Sequence, residues 1–445
     1  PRDTLNPSES QSLPLLLRWQ GLLSATSSGP LARALPQIAG IVICVLMAGL
    51  PVLSRGGVGL LITASGALWV LWALRTPAGR LGSINLWILA ILAIATLATG
   101  FSPVPMAAAK GLAKLVSYLG VYALLRQLLA QSPVWWDRIV ASLLGGSLIT
   151  SVIGLRQLYG NTEELARWAD PNSVADGTIR IYGTLDNPNL FAGFLLPVLP
   201  LAAIALLRWQ QPVRRLYAAS TLALGLIALV LSYSRGAWMG MVASLGVLVL
   251  LLGLRQTRSW PPLWRRLFPV LLLLGGTVVL VVLVSQVEPL RVRVLSLVAG
   301  REDSSNNFRI NVWLAALRMI QERPWLGIGP GNNAFNLIYP LFQQPKFNAL
   351  SAYSIPLEVT VEAGIPGLLA LLGLVFTAVR TGLRLGKNDG PLALPALASL
   401  AIVTGLGVQG LTDTIFFRPE VQLIGWFSLA VLAAGAADEP AAPLP

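Results

Sequence analysis

Three arginines sit where they could meet an anion, and the chain has no histidine to work beside them. Arg235, in the run SYSRGAW, lies between two apolar stretches. A guanidinium so close to hydrocarbon must snorkel, pair or face water. It is therefore either a planar fork for phosphate or carboxylate or an interfacial anchor. Arg180 lies in RIYGTLDNPN, where Gly183, Asn187 and Pro188 imply a tight turn into a helix. Free backbone N–H groups at a helix start beside a basic residue form an anion site; the plainer alternative is a structural turn capped by Asn187. Arg309 opens FRINVWLAALRMI and either points at a ligand in an outer cavity or shares a solvated helix face with Arg318 and Arg323.

Two carboxylates complete the set. Glu358 and Glu362, in ALSAYSIPLEVTVEAGIPGLLALL, are four apart and so share one face of a helix. Carboxylates at a membrane entry face water or protein, so these two serve as a base, as a cation site, or as partners for the arginines of the outer loop. The glycines of GIGPGNNAF (327–335) do not make a phosphate loop, because no strand precedes them, the spacing fails and no lysine follows. They predict a turn feeding a helix capped by Asn332 or Asn333. Without histidine the commonest transition-metal ligand is missing, and neither a metal nor a cofactor is expected. The single cysteine, Cys44, cannot form an internal disulfide.

What must position these groups is a membrane bundle. The 445 residues are 55% hydrophobic and only 11% charged, with a mean hydropathy of +0.70, where a soluble chain carries roughly a quarter charged residues. The net charge of +13 does not indicate nucleic acid, since the basic residues are scattered between apolar blocks with no aromatic-basic motif. On a ruler of about 20 apolar residues per crossing, the sequence predicts an all-α, polytopic integral membrane protein of about twelve transmembrane helices. They fall near 36–54, 57–74, 82–99, 108–129, 138–156, 188–207, 217–234, 236–254, 267–286, 363–380, 391–411 and 420–437. Lys110 and Lys114 in the fourth must lie near an interface or line a wet cavity, since a central cation costs about 2.5–3.5 kcal/mol.

The expected organisation is a cytoplasmic tail (1–35), helices one to nine (36–286), a long periplasmic loop (287–362), helices ten to twelve (363–437) and a cytoplasmic tail (438–445). The first 30 residues are polar, and no removable signal peptide is expected there. With the N-terminus inside, the short inner segments hold 17 Lys and Arg and the short outer ones 8, which places both termini in the cytoplasm. Two outer connections, about 157–187 and 287–362, are long enough to be functional. In the second, Phe308, Val312, Ala315 and Met319 recur at helical spacing from an Asn306-type cap to Pro324, predicting an amphipathic helix on the membrane or capping the bundle. No internal repeat marks an inverted-repeat transporter.

The runs RIYGTLDNPNLFAGFL, SYSRGAW, NFRINVWLAALRMIQERPWLGIGPGNNAF and YSIPLEVTVEAGIPG resemble the O-antigen ligase and polymerase superfamily of membrane glycosyltransferases, over roughly residues 40–435. The run ALSAYSIPLE further resembles the cyanobacterial IctB-type branch, whose members are labelled bicarbonate transporters. The superfamily resemblance implies transfer of a glycan from a polyprenyl diphosphate carrier to an acceptor on the periplasmic face, without nucleotide sugar or metal. Outer-face arginines, here Arg180, Arg235 and Arg309, would hold the diphosphate, and a loop histidine would activate the acceptor. The family's pattern of His-Asn, a few apolar residues, then Glu-x-Gly places Glu362 and Gly364 correctly but puts Tyr353 at the histidine and Ser354 at the asparagine. A phenol with a pKa of about 10 is a poor substitute for an imidazole near 6.5. Three readings follow: anion handling linked to bicarbonate or inorganic-carbon accumulation; a metal-independent glycan ligase or polymerase with Tyr353, Glu358 or Glu362 as substitute base; and a non-catalytic protein that binds the polyprenyl carrier. The lipid bilayer is the partner in all three.

Overall fold

In hydrocarbon the backbone can satisfy its own amides only within a helix, so the apolar runs fold as helices. The computed structural model describes residues 30–76, 81–160, 180–286, 288–295 and 300–437. The N-terminal tail, most of the first long outer connection and the final tail lie outside the described residues. The first nine helices are α1 (Pro30–Gly49), α2 (Arg55–Ala73), α3 (Ser83–Gly100), α4 (Pro105–Gln131), α5 (Val134–Gln157), α6 (Pro188–Arg208), α7 (Pro212–Leu231), α8 (Arg235–Gln256) and α9 (Pro262–Gln286). Three short ones follow, α10 (Glu288–Leu295), α11 (Ser304–Glu322) and α12 (Asn332–Ile338), then α13 (Ile355–Lys387), α14 (Ala393–Gly410) and α15 (Pro419–Ala437).

Among the described residues, eleven helices are long and apolar enough to cross a membrane, and α1 adds a shorter apolar stretch, Ala34–Gly49. These fall on the twelve expected spans. Proline stands at the start of α4, α6 and α7, where its fixed φ suits a first turn and its missing N–H is not needed. The chain is an all-α, multi-pass membrane protein.

α6 is the axis of the bundle. Its residues are buried almost throughout, including the internal Pro197 and Pro200, and α7 and α14 pack along it. α8 lies against α14, α4 against α15, and α3 against α13. α9 stands at the margin, and none of its apolar window is buried.

A second, smaller core sits on the end of the bundle where α6, α8 and α13 begin. Val312, Ala315, Ala316 and Met319 of α11 pack there with Ile328, Phe335, Tyr339 and Val361. The helical spacing read from the sequence thus marks the inward face of α11, which caps the bundle against α13. Its cap is Asp303 rather than Asn306: the Asp303 carboxylate accepts a hydrogen bond from the Asn306 N–H, and Asn306 belongs to the first turn. α12 is likewise entered through Gly331, at φ 97°, and neither asparagine caps it, because the chain turns in a left-handed conformation that glycine alone adopts without cost.

The tenth span differs most from expectation. α13 begins at Ile355, ahead of the expected 363, and is broken at Gly364, with φ 69° and ψ −173°. Residues 355–363 form a short outer helix, and the spanning part follows Pro366. Into the break docks the segment 324–331: the N–H of Ile328 donates to Val361 O and that of Gly329 to Glu362 O, each at 2.9 Å, and the N–H of Ile365 donates to Pro324 O at 2.8 Å. The fourth span begins at Pro105, so Lys110 and Lys114 lie in its outer turns. There the Lys114 ammonium donates to the Phe417 carbonyl at 2.9 Å.

Candidate functional site: an arginine cluster at one end of the bundle

α7 ends at Leu231 and α8 begins at Arg235, so SYSRGAW is a turn of three residues between two long helices. Its centre, Tyr233, is left-handed at φ 51° and packs its ring on Trp238. The turn aims Arg235 into the bundle end, where Nη2 lies 3.0 Å from Asp303 Oδ1, with side-chain exposures of 9% and 0%. The carboxylate that caps α11 therefore also anchors α8. Its other oxygen, Oδ2, is enclosed without a hydrogen-bond partner.

Arg180 joins the same place from the other side. Its Nε donates to Ser232 O at 2.9 Å and its Nη2 to Asn189 Oδ1 at 2.7 Å, tying the start of α6 to the turn that carries Arg235. Asn187 caps α6, accepting from the N–H groups of Asn189 and Leu190, which is the plainer of the two readings of that turn. Arg309, one turn into α11, donates from Nε to Thr412 O at 3.0 Å and from Nη1 to Ser305 Oγ at 2.8 Å.

The connection between α14 and α15 supplies a residue the sequence reading passed over. Asp413 is 7% exposed, and its Oδ1 accepts the N–H groups of Thr414 at 2.7 Å and Ile415 at 3.2 Å. Burial pushes its carboxyl above the usual range, opposed chiefly by the Arg309 charge and also by Arg180. Arg309 is in turn pushed down by burial, opposed first by Asp413, and it also feels Arg235, Tyr353 and Asp303. The three arginines named from the sequence thus belong to one electrostatic cluster with two carboxylates that were not named. The only sequence signal for Asp413 is an acid in a short connection of a chain that has few acids; for Asp303 it is an acid five residues before the helical repeat opens at Phe308.

Tyr353 belongs to the cluster as well. It precedes α13 in a left-handed conformation, φ 49°, its ring edge-on to Phe308 with centroids 5.4 Å apart. Burial, and then the Asp413 charge, push its phenol up, against the Arg309 guanidinium. Glu358 is 1% exposed, and its Oε2 accepts the Ala352 N–H. Glu362 turns elsewhere, its Oε1 accepting the Gly331 N–H at 2.7 Å. The two glutamates share a helix face, but among the described residues neither forms an ion pair with an arginine of the outer loop. Glu362 and Gly364 act together: the glycine permits the break, and the carboxylate holds the segment that fills it.

Within Arg180, Arg235, Arg309, Asp303 and Asp413 the cations outnumber the anions three to two, which favours an anionic ligand. Among the described residues, three of the four left-handed non-glycine positions, Asp186, Tyr233 and Tyr353, stand immediately before the caps of α6, α8 and α13. Residues held this way cluster at functional sites.

Residues 219–372 match the family of the O-antigen ligase domain. The matched stretch runs from α7 into α13 and contains Arg235, Asp303, Arg309, Tyr353, Glu358 and Glu362, while Arg180 and Asp413 lie outside it. No curated protein matches the chain at a significant level.

Proposed function

We propose that this O-antigen ligase-like membrane protein moves a glycan from a polyprenyl diphosphate carrier to an acceptor hydroxyl at the periplasmic face. The observation that supports this reading is the meeting of Arg180, Arg235 and Arg309 with Asp413 at one bundle end, where Arg235 and Arg309 belong to the ligase-like stretch. Planar guanidinium forks suit a diphosphate. Fixed in place before the reaction, they stabilise the negative charge that grows on the leaving diphosphate. In the step, the anomeric carbon–oxygen bond to the diphosphate breaks and a bond from the acceptor oxygen to that carbon forms. The acceptor proton passes to a carboxylate, and the diphosphate leaves on its carrier.

Asp413 takes that proton in this scheme. A buried carboxyl raised above its ordinary range is a better base near neutral pH than an ordinary one. Tyr353, whose phenol is shifted further from neutrality, keeps its proton and donates a hydrogen bond. Glu358 and Glu362 hold the backbone that carries Tyr353 and the docked segment. The inorganic-carbon role rests on the ALSAYSIPLE resemblance alone.

Native mass spectrometry with undecaprenyl diphosphate tests the reading. Wild type is expected to retain the carrier, Arg235→Ala and Arg309→Ala to lose it by about tenfold or more, and Arg235→Lys to fall between, since a charged bidentate contact is worth about 1.5–3 kcal/mol. Equal retention by wild type and both alanine variants would sink the proposal.

A further inference from the structure

The opposite end of the bundle carries two hollows on either side of Val134. One, of about 350 Å³, is lined by Gln37, Gln131, Ser132, Trp135 and Arg138. The other, of about 390 Å³, is lined by Asp137, Arg208, Trp209, Gln211 and Arg214.

Three arginines on this end are engaged by carboxylates or carbonyls. Arg255 donates to Gly386 O, Asn388 O and Asp389, and Arg258 to Lys387 O at 2.7 Å. Arg208 grips Asp137 with two nitrogens, at 2.9 and 3.1 Å, and donates to Pro391 O at 2.8 Å. Arg138 and Arg214 differ. Among the described residues neither guanidinium donates to a carboxylate or carbonyl, and each lines one of the two hollows.

The walls are built rather than incidental. Arg138 lies over the Trp135 ring at 4.6 Å, and that ring fills the space a Cβ on Gly40 would need. In the second hollow Asp137 also accepts the Trp209 indole N–H at 2.9 Å, and Trp209 stacks on Tyr217 at an interplanar angle of 2°. Two tryptophans, amide side chains and an uncommitted guanidinium per hollow, at the level where helices leave the bilayer, match a phospholipid phosphate with its glycerol.

We propose that the two hollows seat the phosphates of anionic phospholipid from the leaflet opposite the outer arginine cluster. The ligand is a glycerophospholipid headgroup with net negative charge, its phosphate on Arg138 or Arg214 and its polar head on the neighbouring amides. The site is separate from the outer cluster, and its fate does not depend on the transfer reaction.

The test is native mass spectrometry of the purified full chain, titrated with phosphatidylglycerol or with phosphatidylcholine of the same acyl chains. An arginine near such a headgroup contributes about fivefold, and each hollow holds one of the two. Wild type is expected to favour phosphatidylglycerol by that order, and the Arg138→Gln/Arg214→Gln double variant to lose the preference while still binding undecaprenyl diphosphate as wild type does. Both side chains are exposed, so the substitutions remove the charges and the Arg138 contact with Trp135 while leaving the buried core alone. No preference in wild type, or a preference that survives in the double variant, overturns the proposal. Displacement of the lipid by an equal concentration of glycerol 3-phosphate overturns it too, and assigns the hollows to a soluble phosphorylated solute.

Discussion

A chain without histidine that deprotonates a hydroxyl near neutral pH must shift some other group to do so, and at the outer cluster burial shifts a carboxylate. Asp413 is the carboxylate to which the proposed scheme assigns this task, and its role is separable from binding. Asp413→Asn is expected to retain undecaprenyl diphosphate within about twofold while glycan transfer falls by the 10²–10⁴-fold typical of a lost general base. Unchanged transfer would remove Asp413 from the reaction, and transfer lost together with binding would make it a binding residue rather than the base. The pH dependence follows from the same shift. The base works only when ionised, so transfer declines as pH falls through its pKa, and because burial raises that value the acid limb lies above the ordinary aspartate figure of about 3.9. At this scale the sequence was partly legible. Arg180, Arg235 and Arg309 stood out because a cation beside hydrocarbon demands a reason. Asp413 and Asp303 did not, because a lone acid in a short connection has no spacing to read and its partners come from distant helices.

Among the elements, α13 explains why a glutamate and a glycine two residues apart recur in one motif. A Cβ at Gly364 would run into the Trp325 carbonyl of the docked segment, and the residue sits at φ 69°. Gly364→Ala therefore carries both left-handed strain and a clash, and is expected to destabilise the protein by about 1–3 kcal/mol. A denaturant midpoint measured in detergent reads this; an unchanged midpoint would mean that the break is dispensable. The spans themselves were legible because a run of about 20 apolar residues has one solution in lipid. The start of α13 was not, since its outer turns carry Glu358 and Glu362 and read as loop by hydropathy. The caps of α11 and α12 were misread for a related reason: asparagine is a good cap in general, but the carboxylate shared with Arg235 and the glycine turn at 331 settled the matter through contacts remote in sequence.

For the whole molecule, orientation decides which compartment meets the arginine cluster, and the distribution of basic residues predicts it. Cys44 is the single cysteine, so a Cys44→Ala background accepts reporters. Lys346→Cys, exposed beside the outer cluster, is expected to react with a membrane-impermeant maleimide in intact spheroplasts, and Gly390→Cys, exposed at the other end, only after permeabilisation. The reverse pattern would place the cluster in the cytoplasm and end the periplasmic reading.

The left-handed residues ahead of α6, α8 and α13 bear on how such a protein could be improved. Each stores about 1–3 kcal/mol that the surrounding packing sustains, and glycine would release it. A laboratory screen ranked on heat resistance alone would therefore drift toward glycine at Asp186, Tyr233 and Tyr353, raising melting temperature while loosening the angles at which three helices enter the site. Robustness and competence are set against each other at these three positions, and a screen that reads transfer first would leave them as they are.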